Sequence, residues 1–222
     1  NWVNLPQEQL KRLDDIYSLA SKLKAQTGVN KLSVMGIGGS KHTVEHMLGI
    51  NGLNINSDSI YFYSDVDSIS LARFLHKLGN DVLSSNYLIA SKSGSTFETK
   101  DGFLRIQKML EDAYIAKGQS AEEAAKSASK HFIAVTDKNA EKSELRRTSN
   151  ENGWLGDLFI HDDVGGRFSA FDDHALFTLA FAGMKKEDMA SMLKSAQEIS
   201  EQSLSSDLEI NDALKEGIFW AD

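Results

Sequence analysis

The chain has 222 residues, 41% of them hydrophobic and 25% charged, with a net charge of −8 and no cysteine. Those proportions allow a sizeable core in an ordinary globular chain, and the lack of thiols excludes disulfides, thiolate catalysis and thiolate zinc sites. The acidic balance argues against nucleic acid and anionic membrane as partners. No apolar run approaches the ~20 residues that span a bilayer, and Asn1-Trp2-Val3-Asn4 lacks the basic flank and apolar core of a secretion signal. A cytoplasmic chain is expected, and an anionic ligand would be held by local dipoles and a few cations, because charges beyond about 8 Å are screened at physiological salt.

In chain order, Pro6 precedes a predicted helix over Gln9 to Lys24, where Leu10, Leu13, Ile16 and Leu19 recur at three-residue spacing, with Gly28 as its stop. Strands are predicted at Leu32 to Gly36, Ile60 to Ser64, Tyr87 to Ala90, His131 to Thr136 and Asp157 to His161, each short, apolar or β-branched, and followed by polar turn residues. Helices are predicted between them at Glu45 to Leu48, Ser68 to Leu78, Thr96 to Ala116 and Glu141 to Asn150. Ser120 and Glu123 read as a capping box that opens an Ala-rich helix to Lys130. From Ala170 to Phe219 the pattern is helical, interrupted at Gly183 and Ser205-Ser206. The alternation predicts an α/β fold: three α/β/α layers, a five-stranded parallel sheet covered on both faces, and helical extensions at both ends. No linker or repeat divides the chain, so residues 1–222 are expected to form one domain, with ligands at the carboxyl ends of its strands.

Three loops at predicted strand ends carry chemistry. Ser91 to Thr99 reads SKSGSTFET, where Ser91, Ser93, Ser95 and Thr96 offer short hydroxyls, Gly94 lets the backbone bend, and Lys92 supplies a charge. The following helix start leaves N–H groups unpaired beneath a positive dipole end, which suits a phosphate; the plain alternative is a cluster of helix caps. The second loop, Gly36-Ile37-Gly38-Gly39-Ser40, partly matches the dinucleotide fingerprint G-x-G-x-x-G, with Asp65 placed as a ribose ligand, but Lys41 stands where the third glycine permits close helix packing. The third is Asp162-Asp163-Val164-Gly165-Gly166-Arg167-Phe168-Ser169. Its glycines allow close approach and Arg167 offers fixed donors to an oxyanion; otherwise it is a turn whose arginine pairs with Asp162 or Asp163. The pattern G-x-x-x-x-G-K-[ST] is absent, so nucleotide hydrolysis has no support.

GIGGS, SKSGSTFET and DVGGRFS, in this order and spacing, resemble the phosphoglucose isomerase (glucose-6-phosphate isomerase) family, specifically its N-terminal sugar-isomerase (SIS) domain, over about Leu32 to Gly183; VTDKN at Val135 to Asn139 also fits. The resemblance implies that Ser91, Lys92, Ser93 and Thr96 grip the 6-phosphate of a sugar, with Ser40 near it and Gly39 lining the sugar site. Gly166 and Arg167 would sit by the reacting carbons, where the guanidinium stabilises a cis-enediolate. The implied reaction interconverts glucose 6-phosphate and fructose 6-phosphate, in glycolysis and gluconeogenesis, without metal or organic cofactor.

Departures from the family's pattern stand at Lys41-His42-Thr43 and Phe97. The family's carboxylate base and ring-opening groups belong to a second SIS domain and a C-terminal region, and no motif for either is found before Asp222. The isolated chain is therefore expected to be inactive, and a homodimer is expected of the full-length enzyme. Two other classes stay open: a non-enzymatic SIS module that senses phosphosugars, and a dinucleotide-binding oxidoreductase domain.

Other residues read as structural. Glu98 suits a dipole partner in a first helical turn. His42 and His46 read as a surface-helix pair, and Asp172-Asp173 before His174 as capping acids. None of the six histidines is assigned to catalysis, and Trp154 and Trp220 read as packing or interface residues.

Overall fold

A computed structural model describes residues 2–26, 28–50, 59–79, 81–161 and 163–221; Asn1 and Asp162, used in the sequence reading, lie outside them. The chain enters through α1 (Leu5–Leu10) and α2 (Leu13–Lys24), then alternates β1 (Lys31–Met35), α3 (Gly39–Ile50), β2 (Ile60–Tyr63), α4 (Ser68–Leu78), β3 (Ser85–Ala90), α5 (Phe97–Ala116), α6 (Ala121–Ser129), β4 (Phe132–Thr136), α7 (Glu144–Asn152) and β5 (Gly156–Phe159). It closes with α8 (Asp173–Ala182), α9 (Lys186–Ser203) and α10 (Asp212–Phe219).

All five strands are parallel, in the order β2-β1-β3-β4-β5, with Val34 opposite Phe62 and Leu88, and Leu88 opposite Ile133. Successive side chains of a strand point to opposite faces, which sorts one buried run into two cores. Leu32, Val34, Leu88, Ala90, Ile133 and Val135 pack with α2, α3, α8 and α9. Met35, Tyr87, Ile89, Phe132 and Ala134 pack with α4, α5, α6 and α7. The expectation of a parallel α/β sheet with helices on both faces is met.

Several boundaries differ from the sequence reading, each for a physical reason. The helix predicted over Gln9 to Lys24 is two: α1 starts earlier, with Pro6 inside its first turn where no N–H is needed, and the break at Lys11-Arg12 accompanies an ion pair from Arg12 to Asp173 at 2.6 Å. The buried stripe of α2 is Leu13, Ile16, Ala20 and Leu23, a 3.6-residue period, whereas Leu10 and Leu19 are only half-buried. Helix α3 begins at Gly39 instead of Glu45, and α7 begins after Ser143, whose side chain accepts from Arg146 N. The capping box at Ser120 and Glu123 is formed on both sides, and Gly183 ends α8 with φ 111.

Asp173 does more than cap. Its carboxylate is fully buried and accepts from Gln9 Nε2 (2.8 Å), Arg12 Nη2 (2.6 Å) and Phe159 N (2.8 Å), tying α1, β5 and α8 together. Asp173→Ala leaves these donors without their acceptor and should destabilise the fold by about 3–5 kcal/mol, read as a lower midpoint in urea.

His174 beside it is buried, with no hydrogen-bond partner for either ring nitrogen among the described residues. Burial lowers its pKa, against the opposing pull of Asp172 and Asp173. The unfolded chain therefore binds the His174 proton more readily than the folded one, and stability from this site falls as pH drops through the ordinary histidine range. His174→Leu should flatten that part of the acid limb in pH-dependent unfolding.

Candidate functional site

The sheet order places a reversal between β1 and β3: the chain leaves β1 into α3 on one face and β3 into α5 on the other. In open parallel sheets this switch point, at the carboxyl ends of the strands, is where a crevice opens. The glycine loop and the serine loop flank it.

At the end of β1, Gly36 lies between Ala90 and Ser40, where its own Cβ would come within 3.2 Å of both their Cβ atoms. Gly38 takes φ +54, a left-handed conformation that favours glycine. Gly39 then opens α3 in direct contact with the third loop. A Cβ on Gly39 would lie 2.1 Å from the carbonyl carbon of Gly166, 2.2 Å from its oxygen and 2.6 Å from Arg167 N. Gly166–Phe168 forms a single 3-10 turn in which Gly166 and Arg167 are exposed. Thr43 and Ser169 add a side-chain contact at 3.5 Å across the same junction, and Ser169 Oγ donates to Gly166 O at 2.6 Å. A loop from the far edge of the sheet thus reaches the start of the helix after β1.

The serine loop is pinned from behind. Lys92 O accepts from Thr136 Oγ1 (2.8 Å) and Asp137 N (3.2 Å), Ser93 O accepts from Glu144 N (2.9 Å), and Gly94, at φ +79, sits where a Cβ would meet Leu145 N at 2.5 Å. Its hydroxyls bond one another: Ser91 Oγ donates to Thr96 Oγ1 (3.1 Å) and accepts from Gly94 N (3.1 Å), and Ser93 and Ser95 share a bond of 2.6 Å. Thr96 is the N-cap of the 20-residue α5, yet its side chain accepts no N–H of the first turn. The cap-cluster reading is therefore not what Thr96 does, and the first-turn amides of α5 receive no cap from its side chain.

Behind the loop, Ser91, Thr99, Lys100, Glu144 and Thr148 line a cavity of about 30 Å³. Lys100 pairs with Glu144 at 2.7 Å and holds its carboxyl below the usual range. Such a space admits water and no sugar.

The structure brings Gly39 and Ser40 together with Gly166 and Arg167, and sets Ser91, Lys92, Ser93 and Thr96 on the neighbouring strand's loop across the switch point. Sequence reasoning named Thr43 and Ser169 without a role at the loop junction, and missed Ser143, whose hydroxyl meets that of Thr136 at 2.5 Å beneath the serine loop. The VTDKN run contains Thr136 and ends before Ser143. Lys41, suspect for the dinucleotide fingerprint, turns sideways toward Ser64 Oγ at 3.3 Å.

Fold and loops define a doubly wound parallel α/β domain of the kind that binds small anionic ligands at its switch point. The family model for phosphoglucose isomerase matches residues 3–219, and the chain belongs to that family. It is 32% identical to a glucose-6-phosphate isomerase of Acetivibrio thermocellus over 96% of this chain and 46% of that protein. It is 30% identical to one of Mycoplasmopsis pulmonis over 96% and 47%. A solved glucose-6-phosphate isomerase from Chlamydia trachomatis superposes with a TM-score of 0.64 at 25% identity, covering 90% of this chain and 34% of that one. A hypothetical protein from Thermus thermophilus superposes with a TM-score of 0.77 at 26% identity, covering 99% and 47%. The chain spans about half the length of the curated relatives it matches.

Gly39→Ala should drive the third loop off α3, because the clash is with backbone that has no rotamer to yield. A loss of about 1–3 kcal/mol in unfolding free energy is expected; an unchanged midpoint would show that the two loops are not in contact.

Proposed function

We propose that this chain is the phosphate-binding SIS domain of an aldose–ketose isomerase that interconverts glucose 6-phosphate and fructose 6-phosphate in the cytoplasm. The observation that supports the reading is the backbone contact of Gly39 with Gly166 and Arg167 N; on this reading Arg167 lies beside the crevice, opposite the serine loop. The 6-phosphate is held by Ser91, Lys92, Ser93 and Thr96, with Ser40 near it; each hydroxyl exchanges its bond within the loop for one to an anion, which is the stronger kind. Gly39 and Gly166 let the sugar approach the backbone. When a base removes the C2 proton, negative charge spreads over O1 and O2 of a cis-enediolate, and Arg167 offsets it before the proton is returned at C1.

The base and the ring-opening acid are not among these residues. We place them in a second SIS domain and C-terminal region, within the part of the relatives that this chain does not span, so that residues 1–222 alone bind without turnover and the complete enzyme works as a homodimer. A phosphosugar-sensing module would need no enediolate stabiliser, so Arg167 favours the isomerase. The dinucleotide reading is disfavoured by the strand order, since the usual arrangement for that cofactor is 3-2-1-4-5-6.

Calorimetric titration tests the site. Glucose 6-phosphate should bind saturably, while glucose and NAD should not. Ser93→Ala combined with Thr96→Ala should weaken binding by about 1.5–3 kcal/mol per lost bond to the anion. Unchanged affinity in the double variant would remove the serine loop from the site.

A further inference from the structure

The loop that carries Gly166 and Arg167 is gripped from outside as well as by Gly39. The Trp2 ring lies over the Phe168 ring, with centroids 5.3 Å apart and planes 17° from parallel, and Phe168 directly follows Arg167. Both rings are about half exposed, at 49% and 50%, and neither belongs to the two apolar cores. At the other end of the loop, His161 Nδ1 lies 2.7 Å from Asp172 Oδ1 and its Nε2 3.4 Å from Glu8 Oε2. One imidazole therefore links the exit of β5 to α1 and to the cap of α8.

We propose that Trp2, Glu8 and His161 are positioning residues for Arg167, clamping its loop from the N-terminal segment so that the guanidinium is held at the mouth of the crevice. The proposal rests on the sugar-phosphate reading of that crevice. Two contacts at opposite ends of one short loop restrict it more than either does alone, and a preorganised cation loses less freedom when a ligand arrives. The groups that face His161 are all acidic: Asp172 at the cap of α8, Asp173 in α8, Glu8 in α1 and Asp163 in the loop. The hydrogen bond to Asp172, foremost, raises its pKa against the effect of burial. The charged clamp is thus complete below that raised value, where the carboxylates are still ionised, and weakens as pH rises through it.

Trypsin cleavage after Arg167, read by mass spectrometry, reports opening of the loop without requiring any ligand. Trp2→Ala and His161→Gln should each speed this cut roughly fivefold, the scale of a lost aromatic contact or ion pair, with the melting temperature held. Trp220→Ala, on the exposed α10, should leave it unchanged. The advantage of wild type over His161→Gln should shrink as pH rises. Equal rates in all variants would overturn the proposal, as would faster cutting at every lysine and arginine alike, which marks loosening of the whole fold. In the same clamp variants, glucose 6-phosphate affinity should fall while inorganic phosphate affinity holds; wild-type affinity for both in the variants would equally overturn it. A wild-type chain that binds neither ligand would sink the sugar-phosphate reading, and the cleavage rates would still decide the clamp.

Discussion

No Cβ on Gly39 fits against the backbone of Gly166. That single constraint joins the exit of β1 to a loop arriving from β5, across the carboxyl edge of a sheet in which two strands separate them. Helix α3 has to start where the glycines meet, and Gly38 has to turn left-handed to deliver it. The same approach brings the backbone N of Arg167 to the start of α3. The course of the backbone into Arg167 thus depends on the absence of a Cβ at Gly39.

The opposite wall works by a different device. On the proposed reading the serine loop meets an anion largely with amide dipoles and hydroxyls, groups that do not titrate in the physiological range. Its hydrogen bonds to β4 and α7 fix the main chain, while Ser91 with Thr96 and Ser93 with Ser95 keep the hydroxyls ordered with no ligand required. Order that exists beforehand is not lost on binding.

Rigidity under both walls comes from burial. Helix α8 is buried from Asp173 to Phe181, apolar around its circumference except at Thr178 and at its start, where Asp172 and Asp173 gather His161, Gln9, Arg12 and the Phe159 amide. These acids anchor the N-terminal helices and the root of the Arg167 loop to the same helix. The site is therefore coupled to the N-terminal segment through a buried carboxylate pair, and through Trp2 on Phe168 from outside.

The sequence by itself determined what depends on neighbours along the chain. The five strands, the capping box at Ser120, the interruption at Gly183 and the three loops at strand ends were all legible, because periodicity and turn chemistry act over a few residues. Only the tertiary structure decided the rest. The break at Lys11-Arg12, the early start of α3, the buried role of Asp173 and the meeting of Gly39 with Gly166 each depend on a partner far along the chain. A local pattern carries no record of such a partner: a glycine needed for close approach reads the same as a glycine in any turn, and an aspartate that anchors three elements reads the same as a cap.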